Sequence, residues 1–161
     1  MKEWCYMKKS VLLLLSFVPV VVGWLVNILI MVPVIGMAGF YLLPLLTTVF
    51  WFFLGKQYAH KWKAVPAVLI AHTVGFCSLL IYLWQFLFET DVTRNLTLAA
   101  FSQMFSASTP LYLIGRIAVF FESQPNYAGR ASMVAMQVIG LVYMVIVFSA
   151  GMYLEKKRTK E

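Results

Sequence analysis

Side chains that could bind a ligand or carry a proton are few and widely spaced in this sequence. His72 and Arg116 lie inside long apolar stretches, and three amides lie in similar surroundings. An ionisable or strongly polar residue in such a stretch is costly to bury, which makes each one a candidate for function. With two acidic residues near the end of one stretch, the candidate ligand-binding residues are Arg116, His72, Asn27, Gln85, Gln137, Glu89 and Asp91.

The simplest role for His72 and the amides is hydrogen bonding between helices. The alternative for His72 is a ligand or proton carrier, and the alternative for the amides is the lining of a substrate path. The first interpretation of Arg116 is an ion pair with a nearby acidic residue. Its candidate partners are Glu89, Asp91 and Glu122. The alternative is a site for a phosphate or carboxylate group, which a guanidinium can bind with two hydrogen bonds.

Catalytic and metal-binding patterns are missing from the sequence. A metal or haem site needs several converging ligands, whereas the chain has two histidines and no carboxylate inside any predicted span. Cys5 and Cys77 lie far apart and form no C-x-x-C pair, which argues against dithiol redox chemistry. We therefore expect no metal, no cofactor and no enzymatic activity. The sequence also contains no motif typical of nucleic-acid binding.

The composition places these residues in a membrane protein. Of the 161 residues, 62% are hydrophobic and 12% are charged, whereas soluble domains have about 45–50% and about 25%. A soluble fold of this size has too much surface to cover with so few polar residues. We therefore predict a single transmembrane domain over residues 1–161, with the lipid bilayer as its main partner.

Apolar runs long enough to cross a bilayer account for four predicted spans. No charged residue lies between Lys9 and Lys56, so this run suits two spans, divided near Pro33 and Gly36. The predicted spans cover about residues 11–32, 34–54, 65–88 and 131–154. The predicted fold class is all-α, an integral membrane four-helix bundle with an outer segment over about residues 89–130.

Residues 96–121 are the ambiguous part of the outer segment. The first half is amphipathic, with Phe101 and Phe105 on its apolar face. Pro110 interrupts the pattern, and the apolar run that follows, Leu111–Phe121, has only 11 residues. Runs of about 10–14 apolar residues are more typical of interfacial or re-entrant pieces than of spans. We therefore predict a short amphipathic or re-entrant helical segment between helices 3 and 4.

The distribution of charge predicts the orientation. Ten of the 13 basic residues fall in the N-terminal segment, the loop between helices 2 and 3, and the C-terminal tail, which share one side if the chain crosses four times. Three acidic residues accompany them, so this side carries the whole formal charge of +7. Basic residues near short loops stay in the cytosol. We predict a cell-membrane protein with both termini cytoplasmic and with anionic lipids as candidate partners.

Small residues at helical spacing indicate a packing face. Ala67, Ala71 and Gly75 recur every four residues in helix 3 and would allow another backbone to approach closely. Packing within the chain is the first interpretation, and self-association or a partner helix is the alternative.

These observations favour a small multi-pass membrane protein without enzymatic activity. We expect a transport-related or accessory subunit that acts with a partner membrane protein or as a homo-oligomer, because the chain has no catalytic constellation and too few helices for an obvious self-contained transport path. Without carboxylates in the spans, proton-coupled transport has no relay. The alternative is a membrane-embedded enzyme or a binding protein that acts on lipid or an anionic ligand at the outer segment around Arg116.

Overall fold

A computed structural model describes residues 7–122 and 129–159, and within these residues the chain forms helices and turns but no strand. Cys5 lies outside the described residues. The α-helices are α1 (Lys9–Leu15), α2 (Val18–Leu29), α3 (Ile35–Ala59), α4 (Ala64–Leu83), α5 (Leu96–Ser102), α6 (Met104–Ala107), α7 (Leu111–Ala118) and α8 (Arg130–Arg158). A π-helical turn, Trp84–Phe88, extends α4, and a 3-10 turn, Val119–Phe121, extends α7.

Four helical stretches are long and apolar enough to cross a membrane, which confirms the four apolar helices expected from the sequence. They are Lys9–Leu29, Ile35–Ala59, Ala64–Phe88 and Arg130–Arg158. The second and fourth continue several residues beyond the predicted limits. Lysine and glutamate are good helix formers, so Lys56 and Glu155 end the apolar run without ending the helix.

The first long helical stretch is interrupted at Ser16 and Phe17, between α1 and α2. Pro19, in the first turn of α2, has no N–H to donate to the carbonyl group of Leu15. The Ser16 hydroxyl lies 3.1 Å from the carbonyl oxygen of Leu12 and 2.7 Å from the hydroxyl of Tyr58. All three side chains in this network are buried. These hydrogen bonds join the interruption to α3, which carries Tyr58.

A tight turn joins α2 to α3. At its centre Val34 has a φ of 65°, and the N–H of Ile35 donates to the carbonyl oxygen of Pro33 at 2.7 Å. A positive φ is an outlier for a β-branched residue and costs about 1–3 kcal/mol. The turn brings α3 directly against α2, where a Cβ on Gly36 would lie 2.2 Å from the carbonyl oxygen of Leu29.

The most extensive helix contact joins α3 and α8, which run parallel. The Tyr143 hydroxyl donates to Thr48 Oγ1 at 3.1 Å, and further along both helices His60 Nε2 lies 3.3 Å from Glu155 Oε1. Residue numbers increase together in these two contacts, so the helices point in the same direction. Because the two helices are parallel and in contact, the end of α8 lies beside the end of α3.

Glycines on both helices allow α3 and α8 to approach at the backbone. A Cβ on Gly55 would lie 2.2 Å from the carbonyl oxygen of Phe148, and one on Gly151 would lie 2.1 Å from that of Phe52. Any side chain at either position would therefore force the helices apart. Close backbone approach through small residues is the usual packing mode of apolar helices in lipid.

Three chain segments meet at one end of the bundle. Met7, His60 and Glu155 line a single groove, so the start of α1, the end of α3 and the end of α8 are neighbours. The ammonium group of Lys9 lies 5.6 Å from the centre of the Trp62 ring, in the loop between α3 and α4. We call this end the basic end and the opposite one the far end.

Candidate functional site

The chain between α4 and α8 enters the bundle and leaves it at the far end. Gln85 Oε1, in the last turn of the third long stretch, accepts a hydrogen bond from the N–H of Asn95 at 2.8 Å. Glu122 Oε1 accepts one from the N–H of Ser132, in the first turn of α8, also at 2.8 Å. Both ends of the inserted segment, defined as residues 96–121, are thus held at the same end.

The middle of the inserted segment is the longest uninterrupted buried stretch in the described chain. Residues 104–110 are all buried. Here α6 lies on α2 so closely that a Cβ on Gly23 would come within 1.7 Å of the carbonyl oxygen of Met104. The Asn27 amide also donates to Met104 Sδ at 3.5 Å. The inserted segment and α2 are therefore in direct backbone contact.

Buried hydroxyl side chains donate hydrogen bonds to carbonyl groups where the inserted segment turns. Ser106 donates to the carbonyl oxygen of Gln103 at 2.9 Å, and Ser108 donates to that of Phe105 at 2.6 Å. Thr109 donates to the carbonyl oxygen of Ser106 at 2.5 Å. Each of these carbonyl oxygens also accepts a backbone N–H, so it is the buried hydroxyl groups that gain a partner here without water. The polar side chains of this turn are thereby accommodated in an apolar interior.

Phe105 extends from the inserted segment into the core. Its ring lies against Gly75, where a Cβ would be 2.8 Å from the Phe105 ring, and edge-on to Trp51 with the ring centres 6.4 Å apart. Ala67 and Ala71 share the face of α4 with Gly75 and are completely buried. The structure therefore places the small-residue face of α4 inside the chain, where it admits the inserted segment.

His72 lies at the centre of the same core and is completely buried. Its Nε2 accepts a hydrogen bond from Trp51 Nε1 at 2.9 Å, because an indole nitrogen only donates. The ring proton must then lie on Nδ1, which donates to the carbonyl oxygen of Val68 at 2.9 Å. Both ring nitrogens are occupied, so His72 is held as a neutral hydrogen-bonding residue with no nitrogen free for a ligand.

The Trp51–His72 hydrogen bond predicts a measurable coupling. In His72→Leu the indole N–H stays buried without an acceptor, which costs about 1–3 kcal/mol beyond the packing change. Adding Trp51→Phe removes the unpaired donor, so the double variant should lose about 1–2 kcal/mol less than the sum of the single losses. Thermal unfolding of the three variants in detergent measures this coupling. Additive losses would show that the hydrogen bond contributes nothing.

At the far end, Gln85 and Arg94 join α4 to the loop that follows. Gln85 is 1% exposed. Arg94 Nε donates to the carbonyl oxygen of Gln85 at 3.0 Å, and its Nη1 pairs with Asp91 Oδ1 at 2.9 Å. The guanidinium carbon lies 4.6 Å from the centre of the Phe86 ring. Arg94 is therefore the residue that organises this loop, although the sequence drew attention to Arg116.

Arg116 lies exposed on α7 and, over residues 7–122 and 129–159, makes no ion pair with the partners expected from the sequence. Asp91 pairs with Arg94 instead. Glu89 is half-buried and likewise makes no ion pair in that part of the chain. Glu122 binds the first turn of α8, where the partial positive charge of a helix N-terminus favours a carboxylate.

The capping role of Glu122 predicts a pH-dependent contribution to stability. The hydrogen bond from the backbone N–H of Ser132 is the main reason why the pKa of the Glu122 carboxyl is below its ordinary 4.5. A lowered pKa in the folded state means that the contribution is present at neutral pH and is lost as pH falls through the folded-state value. Glu122→Gln should therefore lower the melting temperature at pH 7.

The control for this prediction is the same comparison in acid. As Glu122 becomes protonated, the wild type loses its charged cap and should approach the melting temperature of Glu122→Gln. A difference between the two chains that stays constant from pH 7 to pH 3 would contradict the charged cap.

The remaining amides do not converge on a common path. Asn27 is exposed on α2 apart from its contact with Met104. Gln137 is 8% exposed on α8 and makes no hydrogen bond within the described part of the chain. Neither amide shares a hydrogen bond with His72 or Gln85. The polar candidates named from the sequence thus occupy separate places in the bundle.

A groove at the basic end is the feature that sequence reasoning missed. It has a volume of about 460 Å³ and lies between α1, α3 and α8. Its polar lining includes Lys56, Gln57, His60, Glu155 and Arg158. These residues lie at the ends of separate helices, and only the parallel pairing of α3 and α8 brings them together. The one signal in the sequence was the concentration of basic residues on this side.

The described side chains include no group of three or more His, Cys, Asp or Glu residues that could hold a metal ion. Cys77 is a free, exposed thiol. Comparison of the chain with protein-family models, curated proteins and solved structures finds no match. What the geometry offers is a closed, aromatic-rich core around an inserted segment and a polar groove at the basic end.

Proposed function

We propose that the chain is a four-span integral protein of the cell membrane with both termini in the cytosol. Four helices of sufficient length and apolarity support the spans. The concentration of basic residues on one side of the sequence supports the orientation, because basic loops stay in the cytosol. The return of residues 96–121 to the far end supports an even number of crossings.

The inserted segment is re-entrant in this arrangement. Gly75, which contacts Phe105, is the twelfth residue of α4, and a rise of about 1.5 Å per residue puts it roughly 16 Å from the start of that helix. This is close to the middle of an apolar layer about 30 Å thick. Irregular backbone at such depth is tolerated only where protein surrounds it, which fits the burial of residues 104–110.

The protein acts as a non-enzymatic, transport-related or accessory subunit, in complex with a partner membrane protein or with copies of itself. The filled interior carries this proposal. Phe105 packs among Trp51, Gly75 and Leu141, and the neighbouring His72 has both nitrogens engaged. A self-contained carrier or channel needs a polar path between its helices, whereas this interior is packed with aromatic and aliphatic side chains.

Reconstitution of the purified chain tests both parts of this proposal. We expect liposomes that contain the chain to be as impermeable to protons and K⁺ as protein-free liposomes. We expect cross-linking in native membranes to trap the chain in a dimer or in a complex with another membrane protein. Ion flux that rises with protein content would contradict the closed interior, and a chain that stays monomeric would contradict the subunit role.

Binding of lipid or an anionic ligand at the far end is a second candidate function. The exposed guanidinium of Arg116, without an ion pair in the described part of the chain, favours it. Arg116→Lys keeps the charge but loses the planar guanidinium group, which binds phosphate or carboxylate with two hydrogen bonds. Loss of bound anionic lipid in both Arg116→Lys and Arg116→Ala, at unchanged thermal stability, is expected of this function. Lipid retention in both variants would contradict it.

A further inference from the structure

The groove at the basic end has an apolar half and a polar half. Leu15, Phe50, Phe53 and Leu54 line the half that lies deeper in the bundle, away from the ends of α3 and α8. The polar side chains line the half that lies at those ends. Its volume of about 460 Å³ is within the range of about 300–1,000 Å³ typical of sites for small molecules. This arrangement of apolar and polar surfaces matches an amphiphile whose acyl chain lies in the deeper half and whose headgroup lies at the helix ends.

The polar half of the groove is bordered by two cations. Lys56 Nζ lies 5.1 Å from the centre of the Phe53 ring, which also lines the groove. Arg158 is exposed in the last turn of α8. The carboxylate of Glu155, which also lines the groove, lies 3.3 Å from His60 Nε2. The groove therefore offers both an ammonium and a guanidinium group to an anion, the two groups that bind phosphate best in proteins.

One acceptor in the groove wall lacks a hydrogen bond. Gln57 Oε1 is shielded from solvent and has no donor within reach among the described residues. A buried acceptor without a partner lowers stability. Gln57 lines the groove, so rotation of its side chain towards the groove lets a ligand hydroxyl satisfy this oxygen and thereby gain affinity. An anion without a hydroxyl group would leave Gln57 Oε1 unpaired.

We propose that this groove binds one anionic phospholipid whose headgroup carries hydroxyl groups, as in phosphatidylglycerol. Lys56 and Arg158 bind the phosphodiester, and Gln57 accepts a hydrogen bond from a headgroup hydroxyl. An acyl chain lies against Leu15 and Phe50. The site is at the opposite end of the bundle from Arg116 and is independent of the proposed subunit role.

Lipid selectivity of the wild-type chain gives the first test. The delipidated protein is titrated with phosphatidylglycerol, phosphatidylethanol and phosphatidylcholine of identical acyl chains, and bound lipid is counted by native mass spectrometry. Phosphatidylethanol has the same charge as phosphatidylglycerol but no hydroxyl group. We expect phosphatidylglycerol to bind most tightly and phosphatidylcholine about tenfold more weakly, with phosphatidylethanol between them. Equal binding of all three lipids would overturn the proposal.

Substitutions of the groove residues test where the lipid binds. Lys56→Ala combined with Arg158→Ala should lower the affinity for phosphatidylglycerol about tenfold. Gln57→Leu should bind phosphatidylglycerol and phosphatidylethanol equally, since the acceptor is gone. If the double variant unfolds, Gln57→Leu still tests the site through its selectivity for phosphatidylglycerol over phosphatidylethanol. Unchanged selectivity in that variant would overturn the role of Gln57.

A charge-matched control separates this groove from its neighbour. Lys156 and Lys157 also lie near the end of α8, but they line a different groove of about 410 Å³ beside Ala64 and Tyr153. Lys156→Ala combined with Lys157→Ala removes two positive charges from the same helix and should keep phosphatidylglycerol binding. Loss of the lipid in this control but not in the Lys56 and Arg158 variant would overturn the assignment.

Discussion

Replacing Gly23 by alanine is expected to push the inserted segment away from α2. The new Cβ would lie 1.7 Å from the carbonyl oxygen of Met104, a backbone atom that cannot move without the rest of α6. Overpacking of this kind costs about 3 kcal/mol, well above the gain of about 1 kcal/mol from replacing glycine in a helix. Thermal unfolding in detergent should show the loss, and a cysteine introduced at buried Ser106 should label faster.

Gly115→Ala is the matched control for Gly23→Ala. Gly115 is also a helical glycine, in α7, but its nearest neighbour would be Met136 Sδ at 3.6 Å, an ordinary contact. This variant should be as stable as the wild type or slightly more stable, because alanine is the better helix former. Equal stability of Gly23→Ala and Gly115→Ala would contradict the close contact between α2 and the inserted segment.

Alanine at Gly55 or Gly151 is expected to separate α3 from α8. Each new Cβ would lie 2.1–2.2 Å from a carbonyl oxygen of the other helix, so either substitution alone should cost about 3 kcal/mol. Because one substitution already moves the helices apart, the double variant should lose less than the sum. Melting curves of the two single variants and the double variant measure this.

Gly39→Ala serves as the control on α3. Its Cβ would meet a flexible side-chain atom, Leu29 Cδ1, at 3.3 Å rather than a backbone atom. A small adjustment of Leu29 relieves this contact, so the melting temperature should change little. Losses at Gly55 and Gly151 that are no larger than the loss at Gly39, or that add fully in the double variant, would contradict the close crossing of α3 and α8.

The four long helices were predictable from the sequence because apolar runs of the required length are visible in one dimension. Their ends were less so, since Lys56 and Glu155 interrupt the apolar pattern but not the helix. The interruption before Pro19 follows from the missing N–H, yet its hydrogen bond to Tyr58 joins residues 42 positions apart. Local patterns give the elements, whereas such contacts between distant positions arise only from packing.

The candidate polar residues show the same contrast between what local sequence patterns predict and what only packing brings together. For His72, hydrogen bonding between helices was the first interpretation, and the structure supplies the partner, Trp51, which no sequence spacing identifies. Glycines such as Gly23 and Gly151 are visible in the sequence, but the carbonyl groups they approach are not. Arg116 attracted attention because it interrupts an apolar run, whereas Arg94 holds the loop through partners nearby in sequence.

The groove at the basic end could not be predicted for a geometric reason. His60 and Glu155 are far apart in the sequence and meet because α3 and α8 run parallel. That pairing depends in turn on the inserted segment returning to the far end, so that α8 runs in the same direction as α3. The course of residues 96–121 therefore determines both the core and the groove.

Cysteine accessibility in intact cells tests that course most directly, using single cysteines in a chain that lacks Cys5 and Cys77. Thr93 lies just before the inserted segment and Phe120 lies at its end, and both are exposed. A re-entrant segment predicts that a membrane-impermeant maleimide labels Thr93→Cys and Phe120→Cys from the same, outer side.

Lys61 and Thr159 report on the basic end in the same experiment. A re-entrant segment predicts that Lys61→Cys and Thr159→Cys are labelled only after the membrane is permeabilised. A segment that crosses the membrane would instead place Phe120 on the side opposite Thr93, and Thr159 on the side opposite Lys61. Labelling of Thr93→Cys and Thr159→Cys from outside, with Phe120→Cys and Lys61→Cys protected, would contradict the re-entrant fold.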